Sequence, residues 1–368
     1  LDADIGLQVE TGTLSVAKKQ FVEIAKAISL DAQIVVMDEP TSVLTMTETR
    51  QLYDLVRRLK SRGISIIYIS HRMEEIFEIC DRCTVLKDGC YVGTVKMCDV
   101  DRVRLVKMMT GREISNIYPL KGEENIGEEL LRVEHLTKKG VFQDVSFSVR
   151  AGEIVGMAGL VGSGRTEVCR SLMGIDNLES GEVFLEGEKL LIKRPIDAIS
   201  KGVAYVSEDR KKDGLILDLS IENNITISTV TRYAKGGFIC KKKEYAAIND
   251  MLKKLNVKAS GVQQAVGNLS GGNQQKVMLA NWILVGARVM IIDEPTRGVD
   301  VGTKLEIYRI IREIADAGTA VLIISSELPE VLGICDRILV MHQGRLAGEI
   351  DSKRATEENI LMMATGGA

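Results

Sequence analysis

The residues with the clearest capacity for chemistry lie in GLVGSGRTEV, residues 159–168. Gly159, Gly164 and Thr166 fall on the spacing of the pattern G-x-x-x-x-G-K-[ST]; Gly162 and Ser163 lie inside it, and Arg165 stands where the pattern has lysine. Glycines so spaced let backbone N–H groups approach phosphate oxygens at a helix N-terminus, and a hydroxyl such as that of Thr166 reaches Mg²⁺. Arg165 keeps the charge on a longer, forked side chain, so it is expected to sit differently from a lysine. By itself the loop is also compatible with a plain glycine turn. Two acidic pairs, Asp38–Glu39 and Asp293–Glu294, end the apolar runs IVVM and VMII. An Asp at a strand end can hold Mg²⁺ through water, and the Glu beside it can polarise an attacking water as a general base. In NLSGGNQQKV (268–277), Ser270, Gly271 and Gly272 precede a helix, with Asn273 and Gln274 next, and form an anion-binding N-terminus.

These residues need a scaffold, and the hydrophobic pattern supplies one. EIVGMAGL reads as a strand running into the glycine loop, and TEVCRSLMG continues it as a helix, the context a phosphate loop requires. VFQDVSFSV (141–149) alternates in part as a strand, and QIVVMDEP, RVMIIDEP, ISIIYIS and TAVLIIS read as short buried strands. Thr45-x-x-Glu48 resembles a capping box, and Leu52, Leu55, Val56 and Leu59 then line one helix face. Strands alternating with helices predict an α/β fold with a parallel sheet.

The chain also repeats itself. Asp38 and Asp293 lie 255 residues apart, and the same offset joins Ser15 to Ser270, His71 to Ser326, Asp81 to Asp336, Gly89 to Gly344 and Thr110 to Thr365. No gap is needed from Leu14 to Gly111. The counterpart of the glycine loop would fall before residue 1, so the first copy lacks its phosphate loop and the sequence is expected to be a fragment of a longer parent. Residues 1–111 are expected to be the later part of a first domain, 112–129 a linker with Pro119 and Gly122, and 130–368 a complete second domain. The chain opens in LDADIG, without Met or a signal-peptide pattern.

Composition narrows the function class. A net charge of −3 offers no broad basic field for nucleic acid. No apolar run reaches the about 18 residues of a membrane helix. Seven scattered cysteines suit a reducing compartment. Cys80-x-x-Cys83, with Cys90 and Cys98 nearby, has zinc half-site spacing, but Cys80 aligns with Cys335 in a copy lacking the others, so small buried thiols are expected. His135 and His342 stand alone. The runs RKK (210–212) and KKK (241–243) read as solvated faces.

The order of phosphate loop, LSGG-type signature, acidic strand end and DEPTRGVD resembles the ABC ATPase family over essentially the whole chain. GLVGSGRTE, VSEDRKKDGL, LSGGNQQKV, DEPTRGVDVG and ISSELPEVL are similar to the second domain of tandem ATP-binding subunits of bacterial monosaccharide importers, leaning to the ribose type. The resemblance implies a P-loop NTPase fold with a helical subdomain, in two tandem copies, the first incomplete. It implies ATP and Mg²⁺ as cofactors, and import of a monosaccharide through separate membrane permease subunits. An extracytoplasmic sugar-binding protein acts indirectly, and the chain lies peripherally on the cytoplasmic face of the membrane. The alternatives are a soluble tandem ATPase acting on ribosome or nucleic acid, disfavoured by the charge, and a non-hydrolytic nucleotide-binding fragment.

The family pairs its domains head to tail, with each phosphate loop facing the other domain's signature. By resemblance, residues 159–166 would face LSVAKKQ (14–20), where Ser15 survives but Val16 and Ala17 replace the glycines. Glu208 stands near the usual glutamine, and Ser326 replaces the switch histidine. That site is expected to bind ATP and to turn over slowly, if at all, although Glu294 is intact. The other site would combine residues 269–274 with Asp38, Glu39 and His71, the last positioning water at the γ-phosphate. Residues 209–268 would form the helical arm, with 208–214 able to touch the membrane subunit.

Overall fold

The computed structural model describes residues 5–6, 8–29, 32–41, 44, 46–70, 72–87, 89–110, 118, 126–236 and 238–367. His71, Thr45 of the expected capping box and most of the 112–129 segment lie outside the described residues. The chain divides into two compact units, Leu1–Ser115 and Asn116–Ala368.

The first unit runs α1 (Val16–Ile28), β1 (Ile34–Asp38), α2 (Met46–Ser61), β2 (Ser65–Ile69), α3 (Met73–Ile79), β3 (Arg82–Lys87), β4 (Cys90–Lys96) and α4 (Arg102–Thr110). Strands β1 and β2 pair in parallel, and β3 and β4 form an antiparallel hairpin. Leu52, Leu55, Val56 and Leu59 of α2 bury one helix face in a cluster with Val35 and Met37 of β1. The opposite face of the β1–β2 pair remains open, with Ile34 and Val36 each 60% exposed. A cavity of about 930 Å³ lies between β2 and β3 and is lined by both.

The second unit continues with β5 (Glu129–Lys138), β6 (Phe142–Arg150), β7 (Ile154–Gly159), α5 (Arg165–Leu172), β8 (Ser180–Leu185), β9 (Glu188–Leu190), α6 (Pro195–Ser200) and β10 (Val203–Val206). A mostly helical stretch follows: α7 (Ile221–Thr226), α8 (Val230–Tyr233), the hairpin β11 (Ala234–Lys235) and β12 (Phe238–Ile239), α9 (Lys241–Lys254) and α10 (Gly271–Val285). The chain then closes through β13 (Val289–Asp293), α11 (Val301–Asp316), β14 (Ala320–Ile324), α12 (Leu328–Ile334), β15 (Arg337–His342), β16 (Arg345–Asp351) and α13 (Glu357–Ala364).

The main sheet has the order β10-β13-β14-β7-β15-β16, parallel except for the β15–β16 hairpin, and a separate antiparallel sheet has the order β6-β5-β8-β9. The central strands are apolar on both faces because both faces are covered. Ile154 and Ala158 of β7 enter the cluster that includes α10 and α11, whereas Val155 and Met157 enter the one that includes α5 and the antiparallel sheet. This layering stacks the C-terminal ends of β7, β13 and β14 side by side, and the expected site residues follow those ends.

Elements of the two units correspond at the offset of 255. The bounds of β1, α2, β2, α3, β3 and β4, shifted by it, are those of β13, α11, β14, α12, β15 and β16. Val289 and Ile291, the counterparts of exposed Ile34 and Val36, are fully buried. In the second unit β7 lies between β14 and β15; in the first, among the described residues, β2 and β3 belong to separate two-stranded sheets.

Candidate nucleotide site

Strand β7 delivers Gly159 to the top of the sheet, and α5 starts at Arg165 behind Gly164, whose φ of 97° suits glycine. A Cβ on Gly159 would lie 2.5 Å from the Met341 carbonyl oxygen, so the loop turns in a space only glycine fits. Ser163 is buried with its Oγ unpartnered. The result is a strand, a glycine loop and a helix N-terminus, which aims backbone N–H groups and the positive end of the helix dipole at one spot.

Asp293, at the end of β13, is fully buried. Its Oδ2 accepts from the Tyr205 hydroxyl at 3.0 Å, and its Oδ1 has no partner. Burial pushes its carboxyl up, while the Tyr205 bond and the nearby Thr166 hydroxyl pull it down. A buried, unpartnered carboxylate oxygen beside the Thr166 hydroxyl is the donor set a hard cation such as Mg²⁺ takes. Thr166, Tyr205, Glu208 and Asp293 share the lining of a cavity of about 420 Å³ with Trp282.

Glu294 adopts a left-handed conformation, φ 49°, which is uncommon for a non-glycine residue and fixes the direction of its side chain. Ser326 holds the carboxylate, donating from its backbone N–H at 2.7 Å and from its hydroxyl at 3.1 Å. Burial pushes the Glu294 carboxyl up to about 7, against the pull of Ser326 and Arg165. A carboxyl poised there can take a proton at neutral pH. Arg165 is itself buried and donates from Nη1 to the Ser325 carbonyl at 2.7 Å. Its charge therefore sits among Asp293, Glu294 and the end of β14.

The signature residues gather elsewhere in this unit. Ser270 occupies the N-cap position of α10 without a side-chain bond to the helix backbone, and its Oγ accepts from Asn273 Nδ2 at 3.0 Å. Residues 270–274 do not line the cavity that holds Thr166 and Asp293. Glu208 forms an ion pair with Arg297. In the first unit, Asp38 ends β1, Glu39 repeats the left-handed conformation at φ 44°, and the Glu39 N–H donates to the Ile69 carbonyl at 2.9 Å as Glu294 N–H does to Ile324 at 2.8 Å. Ser15 caps α1 and accepts from the Lys18 N–H at 3.3 Å.

The profile of the ABC transporter family matches residues 142–297. The ribose import ATP-binding proteins RbsA of Bacillus licheniformis and Bacillus subtilis are 49% and 46% identical to this chain over 367 residues, covering 100% of it and 74% of each relative. This chain belongs to the ABC transporter ATP-binding family. Among solved structures, an ATP-binding cassette of an ABC transporter matches with a TM-score of 0.56 at 22% identity, over 65% of this chain and 99% of its own. The cbiO1 protein of Clostridium perfringens, part of an ABC transporter complex, gives 0.54 at 19%, over 64% and 93%. At that identity the two structures establish the fold, an ABC ATPase fold, and nothing finer.

Against this ABC fold, several sequence expectations need correction and several partners were missed. QIVVMDEP and ISIIYIS, expected as buried strands, form β1, which buries only alternate residues, and β2, which buries none, because one face of the pair is open; Cys90 and Cys98, expected as buried thiols, are exposed. Arg210, expected on a solvated face, is half-buried and makes three hydrogen bonds, while Lys211 and Lys212 are exposed. Tyr205, Ser325 and the buried pair Thr296–Glu330, bonded at 2.8 Å, were not singled out. The repeat held a signal for the pair: Thr41 and Glu75, 255 residues earlier, are bonded in the same way. Cys80 is half-buried, and burial pushes its thiol up to about 11. His135 is exposed and bonded to Asp144, and His342 is bonded to the Ala364 carbonyl.

Proposed function

We propose that this chain is the ATPase subunit of an importer for a ribose-type monosaccharide, acting with separate membrane permease subunits at the cytoplasmic face of the membrane. The relatives' names favour import over a ribosome- or nucleic-acid-directed role. Among the described residues no helix is long and apolar enough to cross a membrane, which fits a subunit that leaves translocation to another chain. Residues 159–166 cradle the phosphates with backbone N–H groups and the helix dipole. Thr166 and Asp293 would hold Mg²⁺, which would neutralise phosphate charge when bound. Glu294 orients water and takes its proton. The observation that carries the reading is the fully buried Asp293 with Oδ1 unpartnered beside Thr166, where the glycine loop enters α5.

In this reading the site turns over slowly. The Glu294 carboxylate is engaged by Ser326 on both oxygens, and Arg165 is bonded to Ser325. Fast turnover would have to break these bonds or act through them. The test is Mg²⁺-ATP binding and steady-state hydrolysis by the full chain beside Glu294→Gln. Binding with turnover that is low and lost in Glu294→Gln supports the reading. Fast turnover overturns the slow site, and turnover unchanged in Glu294→Gln removes Glu294 from its role.

A further inference from the structure

From the end of α8 to the start of α9 the chain reads RYAKGGFICKKK, residues 232–243, with Arg232, Lys235, Lys241, Lys242 and Lys243 and no acidic residue. Here β11 and β12 pair as a short antiparallel hairpin, Ala234 with Ile239 and Lys235 with Phe238. Two residue pairs are too few to hold a hairpin alone, and its flanks fix it. The Cys240 N–H donates to the Tyr233 carbonyl at 2.7 Å. Arg232 donates from Nη1 to the Leu284 carbonyl and from Nη2 to the Val285 carbonyl, both at 2.7 Å. These carbonyls close α10, where no further turn of helix supplies N–H partners. One guanidinium thus moors the base of the hairpin to the end of α10.

What is held in this way stays in water. Phe238 is 82% exposed and Ile239 41%. Lys235, Cys240 and Lys241 to Lys243 are exposed beside them. An apolar side chain kept in water by a fixed hairpin contributes no burial to the fold. The charge around it is also unbalanced. Lys241 reaches Glu244, which is buried, at 3.0 Å. Lys235, Lys242 and Lys243 form no ion pair among the described residues.

The combination selects an occupant. A purely solvated basic face has no use for an aromatic side chain at its centre. A protein contact buries such a side chain in a core depleted of lysine. Unpaired lysines around a protruding Phe and Ile instead complement an anionic bilayer surface. There the apolar tips enter the boundary of headgroups and acyl chains, and each lysine lays its stem along them with its ammonium among the phosphates.

We propose that the β11–β12 hairpin and the start of α9 form a lipid-contact site. Phe238 and Ile239 enter the headgroup layer of an anionic bilayer, and Lys235, Lys242 and Lys243 meet its phosphates. None of these residues lines the cavity that holds Thr166 and Asp293. The site therefore gives the chain a hold on the membrane that depends on neither nucleotide nor permease, and its failure would leave the ATPase reading standing.

The test uses the full chain without nucleotide and protein-free vesicles of phosphatidylcholine containing about one-third phosphatidylglycerol. In sedimentation with these vesicles, Phe238→Ser is expected to weaken binding about tenfold. Lys242→Gln and Lys243→Gln together should weaken it about thirtyfold, and raised salt should act in the same direction. All three positions are exposed, so the fold is retained. Phe238→Trp places an indole at the tip, and brominated acyl chains quench an indole that reaches them. With brominated anionic vesicles the added emission of Phe238→Trp should fall by about half, while the emission of Trp282 in the unmodified chain stays nearly constant. Absence of binding to anionic vesicles overturns the proposal. So does equal binding to pure phosphatidylcholine, or binding that survives the serine and glutamine variants, as adhesion through the open face of β1 and β2 would. Binding without quenching of the Phe238→Trp indole would place the contact elsewhere on the chain. Shielding of that indole only in vesicles that carry the permease would assign the hairpin to a protein partner and equally end the lipid assignment.

Discussion

Arg165 illustrates how a side chain in a phosphate loop acquires a structural duty. It is buried beside Asp293 and Glu294, and its guanidinium bonds the Ser325 carbonyl. Arg165→Met leaves that carbonyl, the buried Asp293 carboxylate and the half-buried Glu294 carboxylate without their cation, which should cost about 2 kcal/mol or more. Trp282 is the single tryptophan and lies in the second unit, so its fluorescence in a denaturant titration reads this loss; a shift below about 0.5 kcal/mol would show that the guanidinium does not hold the cluster. Glu330 gives a pH signature at the same scale. Burial pushes its carboxyl up, with Glu327 adding to the shift and Thr296, Ser325 and Lys304 opposing it. The native state therefore keeps a proton that the unfolded chain has lost once pH exceeds the ordinary carboxylate range. The associated stability is present in acid and fades as pH rises through the raised value. Glu330→Gln should flatten that part of the Trp282 stability profile, and an unchanged slope would assign it to other groups. The acidic and glycine motifs were legible because their chemistry is local in sequence. Arg210 was not, because its three acceptors lie 64 to 88 residues away and a run of three basic residues looks solvated until they are in place.

At the scale of elements, equal sequence positions lead to unequal energetics. Arg312 on α11 donates twice from Nη1 to Asp336, at 3.2 and 3.0 Å, and from Nη2 to the Gly152 carbonyl at 2.6 Å, while Asp336 accepts from the Ile154 N–H at 2.8 Å. This buried knot fastens α11 to the start of β7. Its counterpart 255 residues earlier, Arg57, is half exposed and pairs with Asp54 and Glu78. Removing one partner of a buried pair costs about 3–5 kcal/mol, whereas an exposed pair contributes about 1 kcal/mol or less. Arg312→Ala should therefore strongly lower the Trp282 transition, and Arg57→Ala should change the exchange of β1 and β2 only slightly; comparable losses would contradict the burial argument. The repeat made strand and helix bounds legible in both units. It did not reveal that the Ile34 and Val36 face is open where Val289 and Ile291 are covered, because burial depends on what packs against a strand and not on its own residues.

At the scale of the whole molecule, the sequence holds one glycine-rich phosphate loop for two units of corresponding elements. A ligand that binds only the native state stabilises it by about 2.7 kcal/mol at one hundred times its dissociation constant. A non-hydrolysable ATP analogue with Mg²⁺ at that excess should therefore raise the Trp282 transition by about this amount. The metal's share follows from Asp293. Its unpartnered Oδ1 is buried in a cavity wall that also holds Thr166, so chelating the metal leaves a carboxylate facing phosphate charge with nothing between them. Chelation should remove most of the stabilisation at fixed analogue concentration. Asp293→Asn should make the remainder insensitive to chelator, since an amide neither repels phosphate nor holds a divalent cation as a carboxylate does. A chelator-resistant gain in the unmodified chain would mean that backbone N–H groups and α5 carry binding alone, and the pairing of Thr166 with Asp293 around a cation would have to be given up.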